Sequence, residues 1–302
     1  STIHINLFGP HAIITYGSSE QKSRWIPRLI SGADKVAFGV TEPDAGLDTT
    51  SIKTRAIRHG AEYEISGSKV WMSTAQRANK MLLVTRTTPI DECAKSTDGM
   101  TLFYVDLDRT HVEVQEIEKM GRGAVDSNSV FIDGLVVSET DRIGAEGDGF
   151  RMLLDTLNPE RILIAAEAIG IGQRALAKAV SYAGERKVFG RPIGQNQSIQ
   201  HPLAESWMAL EAASLMVWRA AKLYDEQKPC GAEANAAKFL AADAAYEACD
   251  KAVRVHGGFG YAKEYHVERY LREIMIARIA PVSRELIMCY IAEKVLGLPR
   301  SY

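Results

Sequence analysis

The chain has 302 residues, 46% of them hydrophobic and 25% charged, which is enough apolar material for a large core spread over two domains. Thirty-six basic and 38 acidic residues give a formal charge of −2 with neither sign gathered in long runs, so there is no electrostatic footprint for nucleic acid or an anionic membrane. Cys93, Cys230, Cys249 and Cys289 stand far apart and form no C-x-x-C pair or close set with histidines, which argues against a disulfide framework or structural zinc.

No apolar run reaches the roughly 18 residues needed to span a bilayer, and the first residues lack a signal-peptide pattern. A cytoplasmic location is expected, or the mitochondrial matrix in a eukaryote.

Residues 4–31 carry two short helical patterns. The second begins "SSEQKSRWIPRLISG", where Ser18 or Ser19 can cap a helix ending near Gly32. From about 35 the period becomes two. "KVAFGV", "SIKTRAIR", "YEIS", "SKVWMS", "MLLVTR", "MTLFYVDL", "HVEVQEI" and "SVFIDGLVV" predict an antiparallel β-domain of seven or eight strands. From about 147 the pattern is helical, over 148–185, 198–227, 230–256, 263–278 and 281–297, with alanine-rich faces at 234–248 that allow close packing in a bundle. The expected class is α+β multidomain: an N-terminal helical remnant (1–34), a middle antiparallel β-domain (35–142) and a C-terminal four-helix-type bundle (143–302).

Pro281 interrupts the last helical pattern in "IARIAPVSREL". A proline inside a helix removes a donor and clashes with the preceding turn, so the spacing places it in the first turn of the last helix.

Seven segments carry a family pattern in one order: "AFGVTEPDAGLDTT" (37–50), "GSKVWMSTA" (67–75), "KMGRGAVDS" (119–127), "IGAEGDGFRMLL" (143–154), "LNPERILIAAEAIG" (157–170), "YAGERKVFGRPIGQNQSIQHPLA" (182–204) and "HGGFGYAKEYHVERYLRE" (256–273). They resemble the FAD-dependent acyl-CoA dehydrogenases over nearly the whole chain. That family has helical, β and four-helix-bundle domains in the order read here. Its members carry a longer stretch before the T-E-P segment, whereas forty residues precede Thr41.

The resemblance implies FAD contacts at Phe38, Val40, Thr41, Trp71 and Ser73 on the β-domain, where a flat, polar-edged ring needs an apolar wall and nearby donors. It implies that Arg186, Phe189 and Gln197 hold the FAD of a neighbouring subunit, with further contacts at Arg254, Gly257 and Gly258, and at Ser283. A guanidinium fork suits a pyrophosphate. Taken singly, each has an ordinary explanation: Trp71 as a strand aromatic, Arg186 as a helix C-terminal cation, Gly257-Gly258 as a turn, Ser283 as an N-cap.

Family chemistry removes the α-proton of an acyl-CoA with a carboxylate while flavin accepts the β-hydride, giving a trans-2-enoyl-CoA. Many members place the glutamate where Pro281 stands. A smaller group, acting on branched or long acyl chains, places it in an L-x-x-E-R segment, and Glu160 of "LNPERILIAA" matches that position. Proline also lacks the N–H that relatives give to the thioester carbonyl. Leu47 stands where the family has serine in G-S-D, so Leu47, Arg161 and Pro281 are the expected substrate contacts. The resemblance also implies acyl-CoA as substrate, electron-transfer flavoprotein or a similar acceptor as partner, and a homodimer or homotetramer. Oxidase, monooxygenase or desulfinase chemistry on the same fold, and a non-catalytic subunit, remain alternatives.

Overall fold

The computed structural model describes residues 9–301 and divides the chain into two compact units that meet at Leu157/Asn158.

In the first unit, α1 (His11–Tyr16) and α2 (Ser19–Ser31) precede the sheet. Ser18 caps α2: its hydroxyl accepts from the Gln21 N–H while the Gln21 side chain accepts from the Ser18 N–H, and Gly32 closes the helix at φ 74°. An eight-stranded sheet follows: β1 (Val36–Gly39), β2 (Arg55–His59), β3 (Glu62–Ser73), β4 (Lys80–Arg86), β5 (Met100–Asp106), β6 (Val112–Glu116), β7 (Ser127–Ser138) and β8 (Arg142–Ile143), in the order β6-β7-β3-β2-β4-β5-β8 with β1 also on β4.

Two details differ from the sequence expectation. The sheet is not wholly antiparallel, since β1 runs parallel to β4 over Val36↔Lys80 to Gly39↔Leu83 and β2 meets β4 in parallel at Arg55↔Arg86. Strand direction depends on pairing across distant sequence, which period-two alternation does not encode. The runs "YEIS" and "SKVWMS" also form one strand, β3, whose register against β7 shifts between Ile65 and Gly67 and again between Lys69 and Met72.

β4 is buried along its whole length, with alternate residues feeding two clusters: Met81 and Leu83 join Tyr63, Ile65 and Phe103, whereas Leu82 and Val84 join Trp25, Tyr104 and Met152. A strand covered on both faces reads as a continuous apolar run, as "MLLV" does.

A long helix, α3 (Gly149–Glu185), leads into the second unit. There it is joined by a small hairpin of β9 (Lys187–Val188) and β10 (Arg191–Pro192) and by α4 (Gln197–Asp225), α5 (Gly231–His256), α6 (Val267–Ile279) and α7 (Arg284–Tyr290), the last running into a π-helical turn at Ile291–Val295. The bundle core is alanine-rich, from Ala165, Ala168 and Ala175 on α3 to Ala237, Ala241 and Ala245 on α5. The helices approach closely enough that a Cβ on Gly172 would stand 2.9 Å from Ala245 Cα.

The predicted 263–278 helix begins at Val267, because 263–265 forms a 3-10 turn and His266 sits at φ 65°. Pro281 is not in the first turn of the last helix. Ser283 is the N-cap, its hydroxyl accepting from the Leu286 N–H at 3.3 Å, and Pro281 lies before it in the α6–α7 connector, after a cis peptide bond with Ala280. The side-chain cap at Ser283 decides where the helix starts. Among the described residues, no helix is long and apolar enough to cross a membrane.

Candidate functional site

Glu160 and Arg161 follow Pro159 on α3. The Glu160 side chain is buried, and burial raises its carboxyl to about 8, with Arg161 and Lys238 acting in the opposite direction. Arg161 is also largely enclosed, its Nη1 donating to Asn158 Oδ1 at 3.1 Å, and burial lowers its guanidinium below the ordinary value.

Lys238 completes the group from α5. It is 1% exposed on a face otherwise built of Ala234, Ala237, Ala241 and Ala245, and its ammonium donates to the Val282 carbonyl at 2.5 Å. Burial depresses that ammonium to about 8. Five residues on, Asp243 pairs with Arg278 at 3.1 Å and Arg284 at 2.7 Å, one on each side of the Pro281 connector. Sequence reading missed Lys238 and Asp243; the one available signal was a lysine inside the alanine-rich face.

A second feature of the same unit is an open cleft of about 590 Å³ lined by Tyr182, Arg186, Val188, Ile193, Val255, His256, Gly257, Gly258, Phe259 and Ala262. Tyr182 stacks on His256, ring centroids 4.3 Å apart, and the Arg186 guanidinium lies 5.9 Å from the Phe259 ring centroid. A Cβ added to Gly257 or Gly258 would meet nothing within 4 Å, so backbone is accessible on that wall. Phe189 stands at the hairpin tip at φ 52° with its ring wholly exposed, and Gln197 opens α4 on the surface. Arg186, Gly257 and Gly258 thus share one cleft. Arg254 points elsewhere, into an exposed ion pair with Asp250 at 2.5 Å.

In the first unit, Phe38, Val40 and Thr41 lead out of β1 and Trp71 and Ser73 close β3. Trp71 is 58% exposed at φ 61°, at the second register shift, so a bulge turns a large indole out of the sheet. Glu42 anchors this edge. Its carboxylate accepts from the Lys53 and Thr54 N–H groups at 2.6 and 2.9 Å, from the Thr54 hydroxyl at 2.6 Å and from the Lys69 ammonium at 2.8 Å. Lys69 donates also to the Val40 carbonyl at 3.1 Å, and the Thr41 carbonyl accepts from Val70 at 2.9 Å. Leu47 is exposed in an irregular stretch nearby in sequence.

Family models for the acyl-CoA dehydrogenase middle domain and C-terminal domain match residues 37–135 and 147–296. The chain belongs to the acyl-CoA dehydrogenase family. Acyl-CoA dehydrogenase fadE12 of Mycobacterium tuberculosis is 40% identical over 292 residues, covering 96% of this chain and 74% of that protein. The structure of butyryl-CoA dehydrogenase from Megasphaera elsdenii superposes with a TM-score of 0.93 at 31% identity, covering 98% of this chain and 77% of the other. The FAD complex of PigA gives a TM-score of 0.93 at 25% identity, with 98% and 77% covered. The chain is therefore an oxidoreductase of acyl-CoA dehydrogenase fold, and the family implies FAD.

The residues fit that cofactor. An exposed indole on a strand edge suits a flat ring, and a cleft with a cation and accessible glycine backbone suits a pyrophosphate.

Proposed function

We propose that the protein is an FAD-dependent acyl-CoA dehydrogenase in which Glu160 removes the α-proton of an acyl-CoA to give a trans-2-enoyl-CoA. The observation that carries this reading is the Glu160 carboxyl itself, buried in the bundle and raised to about 8. A base titrating near working pH combines a usable ionised fraction with strong proton affinity. Bound FAD supplies the acceptor for the β-hydride.

Trp71, Thr41 and Ser73 would hold the ring on the first unit's strand edge. Arg186, Gly257 and Gly258 would hold phosphates in the second unit's cleft, with Arg186, Phe189 and Gln197 serving the FAD of a neighbouring subunit. The exposed Phe189, Trp207, Leu215 and Trp218 support at least a dimer, since large apolar side chains in the open favour a partner surface. Electron-transfer flavoprotein or a similar acceptor would reoxidise the enzyme. Branched and longer acyl chains are the first substrates to try, as relatives with the base on this helix use them.

A spectrophotometric panel of acyl-CoAs with an electron-acceptor dye, run beside Glu160→Gln, tests the assignment. Turnover should fall by about 10²- to 10⁴-fold in the variant. Full activity there removes Glu160 as the base.

Pro281 favours a second reading, oxidase chemistry on the same fold. It has no N–H for a thioester oxygen, and losing one such donor costs about 2.7–4 kcal/mol of transition-state stabilisation. Stoichiometric hydrogen peroxide during aerobic turnover would select that reading over the dehydrogenase.

A further inference from the structure

Along the β3–β7 pair the register jumps from Lys69↔Val130 to Met72↔Asn128, so Val70 and Trp71 together oppose Ser129. Two residues against one make a bulge. Trp71 takes φ 61° there with its indole largely in the open. A side chain of that size at positive φ is strained, and such a residue persists only where its surroundings hold it.

Asn128 of β7, fully buried, supplies that hold. Its Nδ2 donates to the Met72 carbonyl at 2.8 Å and to Asp126 Oδ2 at 2.6 Å, and its Oδ1 accepts from Gln76 Nε2 at 3.0 Å. Both partners of Nδ2 are acceptors, so the amide can face only this way. Met72 is the residue between Trp71 and Ser73. Asp126 extends the grip, its carbonyl accepting from the Thr74 N–H at 3.1 Å and its carboxylate from the Gln76 N–H at 3.0 Å. On the other side of Trp71, the Val70 N–H donates to the Thr41 carbonyl at 2.9 Å. The indole projects from a single residue whose two flanks are both tied down.

We propose that Asn128 is a positioning residue for the flavin ring: by bonding the Met72 carbonyl it fixes the bulge that presents the Trp71 indole. The proposal rests on the assignment of Trp71 as a ring contact. It adds a side chain from another strand, one position beyond the matched segment 119–127, to the cofactor site.

The test is a double-mutant cycle. FAD dissociation constants are measured by equilibrium dialysis of the holoenzyme for the native protein, Asn128→Leu, Trp71→Ala and the double variant. Flavin fluorescence is recorded in each, because an indole against the ring quenches it. Leucine is close to asparagine in size and removes all three bonds. Each single variant should weaken FAD binding about tenfold and raise the fluorescence. The double variant should bind no more weakly than Trp71→Ala, since the amide acts through the indole. If Asn128→Leu fails to fold, Asn128→Ser, smaller and still polar, takes its place in the cycle.

Native affinity and fluorescence in Asn128→Leu, beside a weakened Trp71→Ala, overturn the role of Asn128 alone. A loss from Asn128→Leu that recurs in full in the Trp71→Ala background also overturns it, because the amide then supports the fold and not the indole. Native affinity in Trp71→Ala refutes the ring contact, and the meaning of Asn128 for the cofactor with it.

Discussion

Lys69 and Glu42 form a buried ion pair, Nζ to Oε1 at 2.8 Å with both side chains shielded from solvent, and Lys69 also donates to the carbonyl of Val40, the residue before Thr41. Burial alone would raise the Glu42 carboxyl, but Lys69, Thr54 and the Lys53 N–H outweigh it and hold the group below its ordinary value. Removing one member leaves the other charged and enclosed. Lys69→Met should destabilise the protein by about 3–5 kcal/mol, and the double variant Glu42→Gln/Lys69→Met by less, measured by urea unfolding at neutral pH.

The same pair sets part of the acid limb. A depressed carboxyl binds fewer protons folded than unfolded, so its stabilisation is present above the ordinary carboxylate value of 4.5 and is lost as pH falls through the lower folded value. Glu42→Gln should therefore flatten the fall in stability below about pH 4.5. An acid-unfolding curve as steep as the native one would show that Glu42 contributes nothing to it.

Glu160 has the opposite sign. Its folded value is raised from 4.5 to about 8, so relative to an unperturbed carboxyl the fold loses stability as pH rises between those values. Glu160→Gln should be as stable as the native protein near pH 4.5 and more stable at pH 8, on the order of 1–3 kcal/mol. Thermal unfolding at the two pH values checks this, and a gain in stability together with lost turnover is the pattern expected of a base kept at the expense of the fold.

Much of the architecture is legible because it is local. The Ser18–Gln21 capping box, Gly32 and the switch from period two to helical period after residue 147 each report short-range geometry. The parallel pairing of β1 with β4 joins residues over forty apart in the chain, and no local pattern carries it. The burial of Lys238 is hidden for another reason. With alanines all around α5, the apolar periodicity does not say which face is inside, so a lysine there reads as solvated until the fold encloses it. The motif singles out Glu160, yet the raised proton affinity of that carboxyl comes from burial that the motif does not state. Pro281 was recognised as punctuation and misplaced by a few residues, because the cap at Ser283 decides where the helix begins.

Two glycines of "GGFG" separate cofactor binding from folding. A Cβ on Gly258 would meet nothing within 4 Å, whereas one on Gly260 would fall 2.1 Å from the Val253 carbonyl oxygen. Gly258→Ala should unfold like the native protein but retain less flavin, because a methyl group would hold a phosphate away from the backbone. Gly260→Ala should lose stability outright, by about 1–3 kcal/mol. Equal flavin content in Gly258→Ala and the native protein would remove that wall from the cofactor site.

Arg186 gives the sharpest reading of the cleft, since little holds it for the fold's sake. Its side chain is exposed and its guanidinium rests near the Phe259 ring without a carboxylate partner among the described residues. A cation placed at the mouth of a cleft whose wall is bare glycine backbone is suited to a diphosphate, and charge-assisted bonds of that kind contribute about 1.5–3 kcal/mol each. Arg186→Ala should therefore weaken FAD retention by about 10- to 100-fold, with no fall in the stability of the flavin-free protein. Arg186→Lys should recover part of that loss, because it restores the charge without the fork. The ratio of flavin to protein absorbance after gel filtration measures both, and a native ratio in Arg186→Ala would place the diphosphate somewhere other than this cleft.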